Sequence, residues 1–178
     1  MSKGATVEAS RLPVIELKDP LFAALLGWLI PGLGHLYQGR TAKGVLFMVC
    51  ILSTFFFGLA ISEGKAVYAW WSPDDWRLPY LCQLGVGLPA TPALVQSYLV
   101  KHGQQPILGG IMAPPSDPRE LDSWYKDLNH YLELGIVYTM IAGLLNILAV
   151  YDAWGGPVEL EEPSHKRRAA PAAIPPGS

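Results

Sequence analysis

Four long runs of uncharged, mostly apolar residues dominate the pattern of the chain. They cover residues 20–39, 44–62, 78–100 and 134–151, and charged residues bound each of them. A helix needs about 20 mostly apolar residues to cross the hydrocarbon core of a bilayer, because each residue adds 1.5 Å of rise. The pattern therefore predicts an all-α integral membrane bundle of four transmembrane helices.

Three of the runs differ in how well they suit a continuous helix. Residues 44–62 and 134–151 contain no proline and are the clearest candidates for spans. Residues 78–100 contain Pro89 and Pro92, which predict a kink. Neighbouring helices in a membrane can satisfy the backbone groups that such a kink exposes, so we expect a kinked span here.

The first run, residues 20–39, is the weakest candidate for a span. Pro31 and Gly32 can end its helix halfway, because proline has no N–H to donate. If this run enters the bilayer and returns to the same side, three spans remain instead of four. A soluble bundle of buried helices is the alternative, and the length of the four runs disfavours it.

The uncharged runs divide the chain into a membrane domain, residues 20–154, and two flanking segments. Residues 1–19 mix acidic and basic side chains without a cleavable apolar region, so we expect them to stay attached. Residues 155–178 are rich in proline and alanine, which predicts a disordered tail. Eight Lys and Arg lie on the side of the N-terminus against five on the other side, for four spans or for three. This excess predicts a cytoplasmic N-terminus, in a bacterial cytoplasmic (inner) membrane, and leaves the side of the tail open.

The long loop before the last run, residues 101–133, contains the pattern of an amphipathic helix. Residues 102–116 are uncharged but interrupted by Gly and Pro, so they predict an irregular loop. Ser116 or Asp117 can then cap a helix that has Pro118 at its first position. Apolar residues follow at helical spacing, namely Leu121, Trp124, Tyr125, Leu128 and Leu132. We expect this helix to lie along the membrane interface or to extend the last span outward.

Aromatic residues concentrate in and just after the loop of residues 63–77. They are Tyr68, Trp70, Trp71, Trp76 and Tyr80. Indole and phenol rings favour the level of the lipid headgroups, so the leading interpretation is an aromatic belt that anchors two spans. A platform for a carbohydrate or another ligand is the alternative.

Composition excludes several classes of protein. Only 16% of the residues are charged and the net charge is -2, which argues against a nucleic-acid-binding protein. Cys50 and Cys82 lie toward opposite ends of neighbouring runs, so we expect two buried thiols and no disulfide. The four histidines lack the spacing of a metal site, and no nucleophile or phosphate-binding motif occurs. We therefore predict no catalytic residue, no metal and no cofactor.

Polar residues inside the uncharged runs are costly in hydrocarbon and are therefore candidates for function. The main ones are Gln96, Asn146 and, at the end of the last run, Asp152. Asn146 lies well inside its predicted helix, where an amide can form hydrogen bonds between helices. We expect a packing role rather than a transport path, because a path for ions needs several ionisable groups at depth.

The most specific string lies between the first two runs and carries a glycine-rich turn. Its residues of interest are Pro31, Gly32, Gly34, His35, Tyr37, Gly39, Arg40, Lys43 and Gly44. Glycines let a helix end, turn and approach a neighbouring helix closely. Arg40 and Lys43 are placed to meet lipid phosphates. The string predicts a tight hairpin between two membrane helices.

This string resembles the TM-two domain and its bacterial relatives, in which glycines, a histidine and a tyrosine precede a short basic turn. The chain is also similar to a family of uncharacterised multi-pass membrane proteins of planctomycete-type bacteria. The segment from Asn146 to Asp152, Ala153 and Trp154 resembles the end of some of those relatives. The resemblance implies a multi-pass membrane protein and carries no established activity.

Three functions remain open. The leading hypothesis is a non-enzymatic packing, assembly or scaffold protein whose partners are the lipid bilayer and either a second copy of itself or another membrane protein. The alternative is a small transporter or channel subunit, with His35, Gln96 and Asn146 along a path.

The third hypothesis is an enzyme that acts on lipid headgroups. It would use His35 or His130 together with Glu133 or Asp152. A structure with no acid within hydrogen-bond reach of either histidine would make this hypothesis very weak.

Overall fold

A computed structural model of the chain describes residues 18–72, 75–76 and 78–156, with the backbone alone for residues 71, 72, 75 and 76. The helices of these residues are α1 Pro20–Leu29, α2 Leu33–Tyr37, α3 Thr41–Ile61, α4 Leu78–Leu84, α5 Pro92–Lys101, α6 Pro118–Leu128 and α7 His130–Gly155. Two 3-10 turns cover Leu88–Ala90 and Leu108–Gly110, and a two-residue antiparallel ladder joins β1 Trp71–Ser72 to β2 Asp75–Trp76. The prediction of a helical bundle is confirmed.

Among the described helices, α3 and α7 are the two that have the length and apolar composition to cross a membrane. They pack antiparallel through facing glycines. A Cβ atom at Gly58 would lie 2.9 Å from the Gly135 carbonyl oxygen, and one at Gly135 would lie 2.6 Å from that of Gly58. We call the end of the bundle with Thr41 and Gly155 the charged end, and the end with Ile61 and His130 the loop end.

The first uncharged run folds as a hairpin at the charged end. Asp19 caps α1 by accepting hydrogen bonds from the next turn, and Ile30 leaves the helix with φ -135° and ψ 121°. Pro31 cannot donate to the Gly27 carbonyl, so α1 ends after ten residues. Gly32 then turns the chain with φ 82°, and α2 runs back toward the charged end. The predicted early end of this helix is confirmed, and the run forms no full span.

The third run also folds back on itself, so the single kinked helix predicted over residues 78–100 is wrong. The Tyr80 hydroxyl donates to the Ala90 carbonyl at 3.0 Å, which a continuous helix would not allow across ten residues. Gly87 makes the turn with φ 84°. Pro89 and Pro92 start new helical segments after this turn instead of kinking an existing helix. Both arms of the hairpin lie toward the loop end.

The two hairpins enter the bundle from opposite ends and meet beside the middle of α7. The Asn146 side chain donates one hydrogen bond to the Gly27 carbonyl of α1, at 3.1 Å, and one to the Gly85 carbonyl after α4, at 3.0 Å. A Cβ atom at Gly87 would overlap the Trp28 carbonyl oxygen, so the tips of the hairpins touch. The prediction of four spanning helices is therefore replaced by two long helices and two hairpins, because two of the uncharged runs turn at proline and glycine.

Helix α6 is the predicted amphipathic helix, and it begins where expected. The Asp117 carboxylate accepts hydrogen bonds from the backbone N–H groups of Arg119 and Glu120, at 2.7 and 3.0 Å. Trp124 and Leu128 are buried against Tyr68 of the preceding loop. The apolar face therefore packs on the protein itself rather than lying free at an interface. Asn129 follows α6 with φ 47°, and this turn separates α6 from α7.

Two expectations about side chains are corrected by burial. Tyr68 and Tyr80 are 3% and 0% exposed, so they belong to the core and cannot anchor the chain in headgroups. The side chains of residues 71 and 76 lie outside the described part of the chain. Cys50 is exposed on the outer face of α3, so the prediction of two buried thiols is wrong for it, while Cys82 is partly buried. Both thiols are free, as predicted.

Candidate functional site at the glycine-rich hairpin

Close packing of the first hairpin places His35 inside the bundle. A Cβ atom at Gly34 would overlap the Ala23 carbonyl oxygen, so α2 lies directly against α1. This packing leaves the His35 side chain 1% exposed, with its ring centroid 5.0 Å from that of Phe47 on α3. A short helix between two glycine turns thus presents a buried imidazole to the charged end of the bundle.

The Asp152 carboxylate of α7 gathers three basic groups at this end. Its Oδ2 atom lies 2.7 Å from His35 Nε2, 2.6 Å from Lys43 Nζ and 3.5 Å from Arg40 Nη2. The three partners come from α2, from the turn that follows it and from the first turn of α3. Asp152 therefore joins the hairpin, α3 and α7 at one point, and we call these four residues the Asp152 cluster.

The protonation of His35 follows from its burial. Burial lowers the pKa of His35 below its ordinary value, since the charged ring loses its hydration. The hydrogen bond and the charge of Asp152 oppose this effect, and the nearby Arg40 and Lys43 add to it. The neutral ring fits this geometry by donating Nε2–H to Asp152. Its Nδ1 atom is then buried without a hydrogen-bond partner.

The remaining residues of the glycine-rich string serve the turn and its packing. A Cβ atom at Gly32 would overlap the Gly44 carbonyl oxygen, which brings the turn against α3. Gly39 has φ 81° and ends the hairpin before α3 begins. The Tyr37 ring packs edge-on against Phe22, with centroids 5.1 Å apart. The string therefore forms the turn and the second arm of the α1–α2 hairpin inside the first run, and not the predicted hairpin between two membrane helices. Gly32, Gly34 and Gly44 are used in its close packing.

The polar residues predicted at depth do not line one path. Asn146 is fully buried at the junction of the two hairpins. Gln96 is fully buried elsewhere, where its amide donates to the carbonyls of Ile107 and Ile111 and accepts from the Ile107 N–H. Gln96 thus holds the loop of residues 102–116, and Asp152 belongs to the cluster at the opposite end.

The sequence marks Gln83 as a polar residue inside an uncharged run but does not predict its partner. Gln83 of α4 donates to the Thr139 hydroxyl of α7 at 2.9 Å and to the Ala66 carbonyl at 3.1 Å. A glutamine and a threonine inside two uncharged runs were the available signal. Their pairing could not be read from the sequence, because it depends on how α4 lies along α7.

The acid–base pairs proposed for an enzyme fare differently. Asp152 lies within hydrogen-bond reach of His35, as that hypothesis requires. Among the residues that the structure describes, no hydrogen bond joins His130 to an acid, and no group of three or more His, Cys, Asp or Glu side chains could hold a metal ion.

Comparison with known protein families places most of the chain in one family model. Residues 22–166 match a family of unknown function, DUF6677, so the match covers both hairpins and both long helices. No curated protein and no solved structure matches the chain.

Proposed function

We propose that this chain, which belongs to the DUF6677 family, is a non-enzymatic integral membrane protein. The function of that family is unknown, so the proposal rests on the structure. In this proposal α3 and α7 cross the bilayer, and the two hairpins enter it from opposite faces. The protein then acts through assembly, by packing with a second copy or with another membrane protein.

The outward surface of the two long helices is the observation that carries the proposal. In the most apolar 18-residue stretch of each helix, only 22% is buried inside the protein for α3 and 33% for α7. The core helix of a soluble protein would be mostly buried. Instead, large apolar side chains such as Val49, Phe57 and Leu148 are 60%, 53% and 65% exposed. A surface of this kind suits hydrocarbon better than water.

The polar interior supports the same proposal. Hairpins with broken helices are tolerated at membrane depth where other parts of the protein satisfy their backbone groups. Asn146 supplies donors to the carbonyls of Gly27 and Gly85 at the two tips. The buried amide of Gln83 likewise bonds inside the bundle.

The positions of the basic residues suggest an orientation. With two crossings, the N-terminus, the Arg40–Lys43 turn and the tail lie on one side, and that side holds eight of the thirteen Lys and Arg. The excess favours cytoplasmic termini. On this ground we propose that the protein lies in a bacterial cytoplasmic membrane.

The Asp152 cluster supports a structural role over catalysis. A general acid or base must reach its substrate. The His35 side chain is 1% exposed, and its Nε2 atom already bonds to Asp152. The same carboxylate oxygen is 2.6 Å from the Lys43 ammonium, so it is already paired with a cation.

A transporter or channel subunit is the second candidate, favoured by one observation. Two broken helices from opposite ends meet at mid-depth, an arrangement that transporters use around their binding sites. The Asn146 Oδ1 atom there is buried without a hydrogen-bond partner. If this candidate holds, Asn146→Leu should abolish flux in vesicles while His102→Gln, at the loop end, leaves it intact.

Labelling of single introduced cysteines tests the two-crossing topology. In a background with Cys50 and Cys82 replaced by serine, we expect Gly4→Cys, Thr41→Cys and Ser164→Cys to react with an impermeant maleimide from one side. Ser72→Cys and Ser116→Cys should react from the other. A four-span bundle would instead put position 72 with position 4, and position 41 with position 116, which would reject the proposed topology.

Assembly is tested separately by energy transfer between labelled copies in lipid vesicles. Transfer should exceed the random level at low protein-to-lipid ratio and fall when unlabelled protein is added. Random-level transfer, together with a monomeric mass in nanodiscs and no stoichiometric membrane partner, would reject the assembly role.

A further inference from the structure

A cavity of about 230 Å³ lies at the loop end, between the segment that precedes β1 and the start of α6. The residues that line it are Tyr68, Trp70, Pro115, Ser116, Asp117, Pro118 and Leu121. Its volume is below the range of about 300–1,000 Å³ that is typical of sites for drug-sized ligands. The cavity therefore suits a small molecule or a small headgroup, and the Asp152 cluster lies at the other end of the bundle.

Aromatic side chains form one wall of the cavity and are held in place by other contacts. The Tyr68 ring packs edge-on against Trp124, with centroids 5.8 Å apart. The Lys101 ammonium lies 5.6 Å from the centroid of the Trp70 ring. Lys101 therefore already covers part of the Trp70 ring, so a ligand in the cavity would have to contact the part of the ring that Lys101 leaves uncovered.

Among the described residues of the lining, Asp117, at the N-cap of α6, is the only charged one. Both of its capping hydrogen bonds, from the N–H groups of Arg119 and Glu120, end on Oδ1. These bonds fix the carboxylate and do not use Oδ2. The described lining thus combines aromatic rings, apolar proline rings and one negative charge, and the Lys101 ammonium lies outside it, on the Trp70 ring.

We propose that this cavity binds a small organic ammonium group, with the cation on the aromatic wall and near the Asp117 carboxylate. Aromatic rings attract ammonium groups through the negative faces of their π systems, most strongly when the cation is methylated and weakly hydrated. A carboxylate beside the rings adds Coulomb attraction and excludes anions. The group can belong to a free metabolite or to a lipid headgroup, since both present the same chemistry.

Titration of the full chain with choline tests the proposal. The protein is kept in nanodiscs of phosphatidylglycerol, which has no ammonium group, and heat is measured on adding choline or its uncharged isostere 3,3-dimethylbutanol. We expect saturable binding of choline and binding of the isostere that is weaker by about tenfold or more. Equal binding of the two, or tighter binding of a monosaccharide, would overturn the ammonium assignment.

Asp117→Asn is the decisive variant, because asparagine caps helices as well as aspartate and only the charge is lost. We expect choline affinity to fall by about tenfold at an unchanged melting temperature. Asp122→Asn, on the exposed face of α6, is the matched control and should bind choline like the wild type. Equal affinities of the two variants would reject a role for Asp117.

A further arm identifies the source of the ammonium group. Phosphatidylcholine nanodiscs that raise the melting temperature of the wild type but not of Asp117→Asn, without binding of free choline, would assign the site to a lipid headgroup. If neither free choline nor phosphatidylcholine distinguishes the two proteins, the proposal is wrong.

Discussion

Replacing Asn146 by leucine should loosen both hairpins at once, because one amide holds both tips. Leucine has a similar size and leaves the apolar packing of α7 intact. The carbonyls of Gly27 and Gly85 would lose their donors, at 3.1 and 3.0 Å, in a site that is fully buried. Pro31 cannot replace the donor to Gly27, since it has no N–H.

The size of the loss follows from the two hydrogen bonds. Polar contacts between membrane helices average about 0.6 kcal/mol and reach about 1.7 kcal/mol. A buried acceptor left without a donor costs about 1–3 kcal/mol. Removing the Oδ1 atom, which has no partner, offsets part of the loss. We therefore expect Asn146→Leu to lower the free energy of unfolding by about 1–3 kcal/mol.

The assay is reversible unfolding in mixed micelles, followed by circular dichroism, with amide hydrogen exchange to locate the change. Exchange should rise in α1 and α4 together. Leu148→Met, on the exposed face of the same helix, is the control and should change the free energy by less than about 0.5 kcal/mol. A loss below about 0.5 kcal/mol for Asn146→Leu, or faster exchange in one hairpin alone, would refute the role of the shared amide.

Three further predictions concern packing and charge. Gly143→Ala should destabilise the fold by about 1–3 kcal/mol, because its Cβ would overlap the Cys82 carbonyl oxygen. The control is Gly155→Ala, whose Cβ would meet nothing within 4 Å, and it should be neutral in the same unfolding assay. Asp152→Asn should lower the free energy of unfolding by about 0.5–2 kcal/mol, a modest loss because the carboxylate is 37% exposed. An unchanged His35 ring signal in nuclear magnetic resonance would contradict the hydrogen bond between Asp152 and His35. Burial lowers the pKa of His35 in the folded state, so the unfolded chain binds more protons than the folded one. The contribution of His35 to stability should therefore be complete above its unfolded pKa of about 6.5, and it should decline as the pH falls toward the folded pKa. His35→Gln should remove this part of the pH profile measured by unfolding, and an unaltered profile would show that another group causes it.

Local pattern was enough to predict the long helices and α6. The uncharged runs over residues 44–62 and 134–151 correspond to α3 and α7, and the cap at Asp117 with Pro118 marks the start of α6. In each case the signal is contained in neighbouring residues. Caps, prolines and apolar periodicity act within one or two turns of a helix, so they can be read without the rest of the fold.

The Asp152 cluster could be predicted only in its parts. His35, Arg40 and Lys43 belong to one string, but Asp152 follows His35 by 117 residues. Their contact depends on the antiparallel register of α3 and α7, which close approach of Gly58 and Gly135 helps to set. No local pattern encodes that register, because the same apolar surfaces would pack in several others.

The number of long apolar helices was overestimated, because a run without charges indicates an apolar environment and does not show the path of the chain. A run of about 20 apolar residues spans a bilayer if it forms one continuous helix. If the run turns at its middle, each of its two arms reaches only about half of that thickness. Proline alone does not decide between a kink and a turn. In both hairpins a glycine with positive φ, Gly32 or Gly87, lies beside the proline and packs against the backbone of another segment. A side chain at either position would collide with that segment, so the return of the chain depends on the glycine, and the pair of residues is the signal that separates a hairpin from a kinked span.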